Sequence, residues 1–196
     1  MAKIIPENNA TKKDVIAQKA AELFRDKGYS SASMRELANA LGVEAPSLYN
    51  HIGSKDELLQ IICFRVADTF IDNLTSIEKS KESQILKLET VIRFHIRMML
   101  NNFNEVYVAD NEWRQLKEPS LSSFLNKRRA YEKRLVQIIE AGIRIGEFKK
   151  MDSYISVLTI LSAIRGLEFW QNQKKNISNQ ALEDEMINHL LRGILN

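Results

Sequence analysis

The sequence predicts an all-α chain of about nine helices, and three features of its 196 residues carry that expectation. Apolar side chains recur at three- and four-residue spacing through most of the length, the period of an amphipathic helix. Only 7 Gly and 3 Pro interrupt them, so elements run long and loops are few. No segment has convincing strand character.

The elements follow in order. Over 11–27, Ile16, Ala20, Leu23 and Phe24 share one face, and Gly28 stands where a helix commonly ends. Ser33 and Glu36 have the spacing of a capping box, and Met34, Leu37, Ala38 and Leu41 follow as an apolar stripe. Gly42 suits a left-handed turn. Pro46 then sits in the first turn of a short helix reaching about Ile52, where its missing N–H costs nothing. Gly53 breaks that helix. Ser54 and Glu57 form a second capping box, which starts a long apolar helix over about 55–74. The polar run "SIEKSKES" reads as a link between two lobes. Further helices are expected over 84–102, around 106–116, and over about 120–145, 153–171 and 180–195, with Pro119 and Gly146 as punctuation.

Composition excludes several classes. A hydrophobic content of 44% is enough for a real core and too high for a disordered chain. No apolar run approaches the roughly 20 residues that span a membrane, and "MAKIIPENNATKKD" lacks the apolar stretch of a signal peptide. Cys63 is the single cysteine, so no internal disulfide is possible, and it reads as a small core residue. A cytoplasmic protein without a membrane partner is expected. There is no Gly-rich phosphate loop, no zinc-ligand spacing and no nucleophile motif, and His51, His95 and His189 lie far apart. No catalytic residue, metal or cofactor is expected, and neither is enzyme activity. The net charge of +3 points only weakly to nucleic acid, and the first sixty residues carry eight basic and eight acidic side chains. Any attraction to DNA must come from placement.

Residues 34–52 supply that placement. A helix, a tight turn at Gly42 and a second short helix make a helix-turn-helix. Leu37, Leu41, Val43 and Leu48 can pack inward, leaving Ala45, Ser47, Tyr49, Asn50 and His51 on another face. So short a helix does not stand unaided. Presenting its polar face on a scaffold makes sense if that face enters a DNA major groove.

The stretch "AAELFRDKGYSSASMRELANALGVEAPSLYNHIGSKDELL" resembles the DNA-binding domain of the TetR family of bacterial transcriptional regulators. The likeness rests on Phe-x-x-x-Gly-Tyr at 24–29, Arg-x-x-Ala-x-x-x-Gly-Val at 35–43, Leu-Tyr-x-His at 48–51 and Ser-Lys-x-x-Leu-Leu at 54–59. Ala32 stands where the family often has Thr, and Gly53 where an aromatic, Pro or basic residue is more usual. The resemblance implies a DNA-binding domain over 1–56 and a ligand-binding and dimerisation domain over 57–196.

It also implies roles at matching positions. Arg35 would reach a phosphate or base edge. Ala45, Pro46 and Ser47 would present the first turn to the bases, the apolar pair against a thymine methyl, and Asn50 would read adenine. Tyr49 and His51 would bond phosphates. Lys55 would hold one at a helix N-terminus, and Lys12 and Lys13 would do similar backbone work. The plainer alternatives are Tyr49 as a half-buried core residue, His51 as a helix cap, and Lys12 and Lys13 as solvated surface. Asp56 and Glu57 should turn away from DNA.

For the second lobe the resemblance implies a homodimer on a palindromic operator, probed by two recognition helices about 34 Å apart. "YISVLTILSAIRGLEFWQ" and a final row of Leu182, Met186, Leu190 and Ile194 are the expected dimer surface, a four-helix bundle. The other helices should enclose a small hydrophobic effector. Candidates are His95, Met98, Met99, Phe103, Tyr107, Trp113, Tyr131, Arg165, Phe169 and Trp170, with core packing the plainer reading of each. "NEWRQL…RRAYEKRL…GIRIGEF" also looks like the second lobe of regulators that respond to acyl-CoA and other lipid-catabolism thioesters. That likeness makes Arg128, Arg129 and Arg165 candidate anion partners.

Overall fold

The computed structural model describes residues 11–171 and 177–195, without the side chains of Trp170 and Gln171. Within them lie α1 (Lys12–Lys27), α2 (Met34–Ala40), α3 (Ala45–Tyr49), α4 (Lys55–Lys79), α5 (Gln84–Asn101), α6 (Phe103–Asn111), α7 (Ser120–Arg144), α8 (Ser153–Arg165), α9 (Leu167–Gln171) and α10 (Asn179–Arg192), with a 3-10 turn at Trp113–Gln115. The segment expected as one helix over 153–171 is interrupted at Gly166, a poor helix former. With α8 and α9 taken as one broken helix, the described residues hold the expected nine.

The chain divides into two compact units. One takes the residues up to Ala67 together with Asn104–Leu125, and the other takes Asp68–Phe103 and the residues from Asn126 onward.

The core of the first unit is apolar. Ile16, Ala17, Ala20 and Phe24 of α1, Leu37 and Ala38 of α2, Leu48 of α3 and Leu58, Leu59, Ile62 and Cys63 of α4 are all buried. Local chemistry sets where its helices begin. Thr11 and Asp14 form a reciprocal capping box on α1, and Ser33 and Glu36 form another on α2. At α4 the Ser54 hydroxyl accepts the Glu57 N–H at 3.0 Å, but the Glu57 carboxylate passes over Ser54 to accept the N–H of Gly53 at 2.7 Å. The second box is therefore shifted by one residue at its return bond. At the end of α2, Gly42 adopts φ +66° while its N–H meets Asn39 O and that of Val43 meets Ala38 O. This is a Schellman closure, which needs the left-handed residue that glycine supplies.

The core of the second unit includes Leu74, Leu88, Val91, Ile92, Ile96, Ile139, Phe148 and Ile164. The run "SIEKSKES" is half helix, and residues 80–83 alone connect α4 to α5. α4 continues to Lys79 because Leu74 and Ile77 are buried along it. On α10 the buried row is Glu183, Ile187, Leu191 and Ile194, while Leu182, Met186 and Leu190 are half-exposed. The stripe is turned by one residue because Glu183 points inward, bonded by Arg97 at 2.9 and 3.0 Å and by Arg93 at 2.9 Å. A β-carbon on Gly142 would fall 2.2 Å from the ring of Phe148, so the helix is bare where that ring lies. Phe148 pairs with Leu195 in an isolated antiparallel bridge.

Candidate nucleic-acid interface

α3 is five residues long and begins at Ala45, with Pro46 in its first turn. It ends earlier than expected because Asn50 and His51 turn the chain, and the N–H groups of His51 and Ile52 both bond Leu48 O. Leu48 and Ile52 are buried and fix this element from behind. Pro46, Ser47, Tyr49 and Asn50 are exposed, and Ala45 and His51 are half-buried. Tyr49 is 51% exposed, which decides against the core reading of that residue.

Arg35 lies on the first turn of α2 and Lys12 at the start of α1. Both are exposed, and among the described residues neither has an ion-pair partner. Of the acidic side chains nearby, Glu44 at the N-cap of α3 is exposed and makes no cap bond, and four others are engaged. Glu36 accepts from Lys27 and from its own cap Ser33, and those bonds hold its carboxyl down at about 2. Glu57 pairs with Lys13 at 3.3 Å. Asp14 caps α1 and takes Arg65. Asp56 accepts from Lys117 and from the Tyr29 hydroxyl, and these bonds hold its carboxyl below the usual aspartate value.

Lys55 departs from the expected free ammonium. Its Nζ donates to the carbonyls of Tyr29 at 2.8 Å, Ala32 at 2.9 Å and Ser30 at 3.3 Å. It also stands 4.4 Å from the centre of the Tyr29 ring. An ammonium has three protons, and these carbonyls can use all of them. Lys55 ties the α1–α2 turn in this structure. Nothing in the spacing of Ser-Lys-x-x-Leu-Leu reveals that, because the carbonyls lie 23 to 26 residues away.

The ligand candidates divide between the units. His95 stacks on Phe70 with centroids 4.3 Å apart, and its Nε2 lies 2.7 Å from the Tyr131 hydroxyl. Phe94 meets Phe70 edge-on at 5.6 Å. Burial, and then the positive charge of Arg165, lower the His95 pKa to about 3, so the imidazole is neutral. Burial pushes the Tyr131 phenol up. Met99 is buried, and Met98 and Phe103 are half-buried in the same unit. Trp113 belongs to the first unit, where the Arg114 guanidinium lies 4.5 Å over its ring. Arg165 is exposed and Phe169 is 71% exposed, so neither side chain lies in the core. The Trp170 side chain is outside the described residues. Phe70 and Phe94 join the cluster although the sequence offers no sign beyond apolar periodicity.

Residues 81–194 match the family described as Tetracyclin repressor-like, C-terminal domain, and residues 16–62 match the one described as Bacterial regulatory proteins, tetR family. The HTH-type transcriptional repressor KstR2 of Mycolicibacterium smegmatis is 23% identical over 150 residues, 76% of this chain and 73% of that protein. The chain spans 64% to 73% of the length of the KstR2 relatives it matches. The structure of ketosteroid transcriptional regulator KstR2 of Mycobacterium tuberculosis superposes with a TM-score of 0.88 at 19% identity, covering 99% of this chain and all of that one. AibR, crystallised with isovaleryl coenzyme A and operator DNA, superposes with a TM-score of 0.80 at 21% identity over 90% of this chain and 96% of that one. At such identity the structures establish the shared fold. No helix of the described residues is long and apolar enough to cross a membrane.

Proposed function

Because the chain belongs to the tetR family of bacterial regulatory proteins, we propose that it is a repressor that grips a palindromic DNA operator as a homodimer and releases it when a small hydrophobic effector binds. The observation that carries the DNA reading is the outer face of α3, where Pro46, Ser47, Tyr49 and Asn50 are exposed over a buried Leu48. Asp14, Glu36, Asp56 and Glu57 are paired while Glu44 is not, and Arg35 and Lys12 stand as outward cations. Asn50 reads an adenine edge, Ala45, Pro46 and Ser47 present the first turn to the bases with the apolar pair against thymine methyls, and Tyr49 and His51 bond phosphates. Lys55 acts from behind, by fixing the turn that leads into α2.

The homodimer reading draws on α8 and α9. Tyr154, Ile155, Leu158 and Phe169 are 59%, 59%, 49% and 71% exposed, a concentration of large apolar side chains of the kind that marks a protein interface. Together with the half-exposed row of α10 they suit a four-helix bundle between two copies. The effector class we infer is an acyl-CoA thioester. AibR was captured with one, and the second unit here offers an aromatic cluster of Phe70, Phe94, His95 and Tyr131 with the charge of Arg165 felt at the imidazole.

Fluorescence anisotropy with DNA from upstream of the chain's own gene tests the operator reading, with a two-fold symmetric footprint as the expected result. Asn50→Ala should relax preference at one base pair in each half-site, by about 1–3 kcal/mol. Titrating the complex with isovaleryl-CoA and longer acyl-CoAs should release the DNA. Absence of specific binding to any genomic fragment by the ligand-free chain would sink this reading.

A further inference from the structure

We propose that Glu112 and Lys117, on the stretch joining α6 to α7, are positioning residues for the operator-reading helices, acting on the α1–α2 turn through Tyr29 and Asp56. The proposal rests on the operator-binding reading above and assigns the means by which a distant event would reach that surface.

Tyr29 is held at each of its polar atoms. Its N–H donates to Glu112 Oε1 at 3.2 Å, its carbonyl accepts from Lys55, and its hydroxyl donates to Asp56 Oδ1. The other oxygen of Asp56 accepts from Lys117. The ring is buried against Phe24, edge-on at 5.2 Å, with the Lys55 ammonium over its face. Positions 112–117 therefore reach this residue twice, directly through Glu112, more than eighty residues along the chain, and at one remove through Lys117 on Asp56. A third contact of the same kind joins the Arg25 guanidinium at the end of α1 to Asn104 at the start of α6.

The turn so held is the one that delivers Ser33, the cap of α2, and Arg35, its exposed cation. Gly28, with φ +78°, opens it, and its Cα faces Glu112 closely enough that an added β-carbon would lie 3.7 Å from Oε1. The stretch Asn104–Leu125 belongs to the first compact unit, yet Phe103 before it and Asn126 after it belong to the second. A change that shifts the backbone at either boundary pulls on Glu112 and Lys117. Those residues meet the α1–α2 turn through polar bonds with two discrete states, made or broken, as a switch requires.

Amide hydrogen exchange tests the tie, with Lys117→Met and Glu112→Met each removing one bond from exposed or half-exposed positions, and Tyr29→Phe removing only the hydroxyl. In the DNA-free chain we expect the Tyr29 and Ala32 amides to exchange about two- to fivefold faster in Lys117→Met and Glu112→Met. Amides inside α1 and α4 should keep their rates, which separates a local loosening from general destabilisation. With the upstream DNA bound, wild-type residues 112–118 should gain protection, and Tyr29→Phe should gain less. Lys117→Met should weaken DNA binding about two- to fivefold at every salt concentration, with an unchanged salt slope. Wild-type rates at Tyr29 and Ala32 in both variants overturn the proposal, whether or not DNA binds. Loosened amides in a chain that binds no DNA uphold the tie but overturn its positioning role together with the operator reading.

Discussion

In the first compact unit, helix ends are secured by neighbours. Thr11 caps with Asp14, Ser33 with Glu36 and Ser54 with Glu57, all at a spacing of three residues, and Gly42 closes α2 onto its own last turn. Ser83, Asp152 and Ser178 cap α5, α8 and α10 of the second unit in the same way, and in both units other polar fastenings reach across the sequence: Lys55 and Glu112 hold Tyr29 in the first, and further ties act in the second. Glu183 of α10 meets Arg93 and Arg97 of α5, 90 and 86 residues away, Glu147 takes the N–H of Ile85, and His95 meets Tyr131. The contrast between caps and ties teaches how each unit yields. Loss of one local cap frays one helix end, typically at about 1 kcal/mol, whereas loss of one long-range tie releases two elements from each other.

The largest expected effect lies in the second unit. Gly142→Val places a side chain where the Phe148 ring already sits, since even a β-carbon would lie 2.2 Å from it. Phe148 must leave, and its bridge to Leu195 goes with it. A loss of about 3 kcal/mol in urea unfolding is expected, the upper end of overpacking costs. Tolerance of valine at wild-type stability would show that this corner is not a fixed joint.

The next effect depends on pH. The folded chain keeps His95 neutral down to about 3, whereas the unfolded chain takes a proton near the ordinary value of 6.5. A depressed folded value means that stability is present above 6.5 and is lost as pH falls toward 3. At pH 5 the loss should be about 1–2 kcal/mol. His95→Phe, which retains the stack on Phe70, should flatten the curve over that window. Glu183 acts lower on the scale. Burial alone would raise its pKa, but the bonds from Arg97 and Arg93 outweigh this and hold it below 4.5, so its contribution fades only as pH falls through that lower value. A wild-type stability that does not move between pH 7 and 5 would remove His95 from the account.

These differences also explain what could be read from the amino-acid order. Ser33 with Glu36, Gly42, Pro46 and Gly53 are local signals, and they placed α2, α3 and the start of α4 within a few residues. The face of α3 was legible for the same reason: Leu48 is apolar among polar neighbours. What escaped depended on distant residues. Lys55 looked like a free cation because its three carbonyl partners lie on a turn that the sequence does not bring near. On α10 the apolar row of Leu182, Met186 and Leu190, expected at a dimer surface, is half-exposed, but the buried row beside it was not foreseen. That row includes Glu183, since Arg93 and Arg97 make an inward carboxylate tolerable. The extent of α4 was underestimated because polar residues on its exposed side hid the buried Ile77. Trp113 and Phe169 attracted notice as aromatics, but one belongs to the first unit and the other faces outward.

The smallest expected effects on stability sharpen the contrast within the first unit, between two cations that looked equivalent. Lys55→Met strips the carbonyls of Tyr29, Ser30 and Ala32 of a charged donor and should cost about 1–2 kcal/mol of stability. DNA binding should weaken with it, but the dependence of log K on log salt should keep its slope, because no phosphate contact is removed. Arg35→Ala should leave stability within about 0.5 kcal/mol, as expected for an exposed side chain without a partner among the described residues. Its mark should be on the salt dependence, where one fewer neutralised phosphate lowers the slope by about 1 unit per subunit. Measuring both variants by urea unfolding and by anisotropy over 50–200 mM salt decides between the assignments. If Lys55→Met lowers the slope and Arg35→Ala does not, the ammonium leaves its carbonyls for a phosphate when DNA arrives. The α1–α2 turn would then be held in the complex by Glu112 and Asp56 without it.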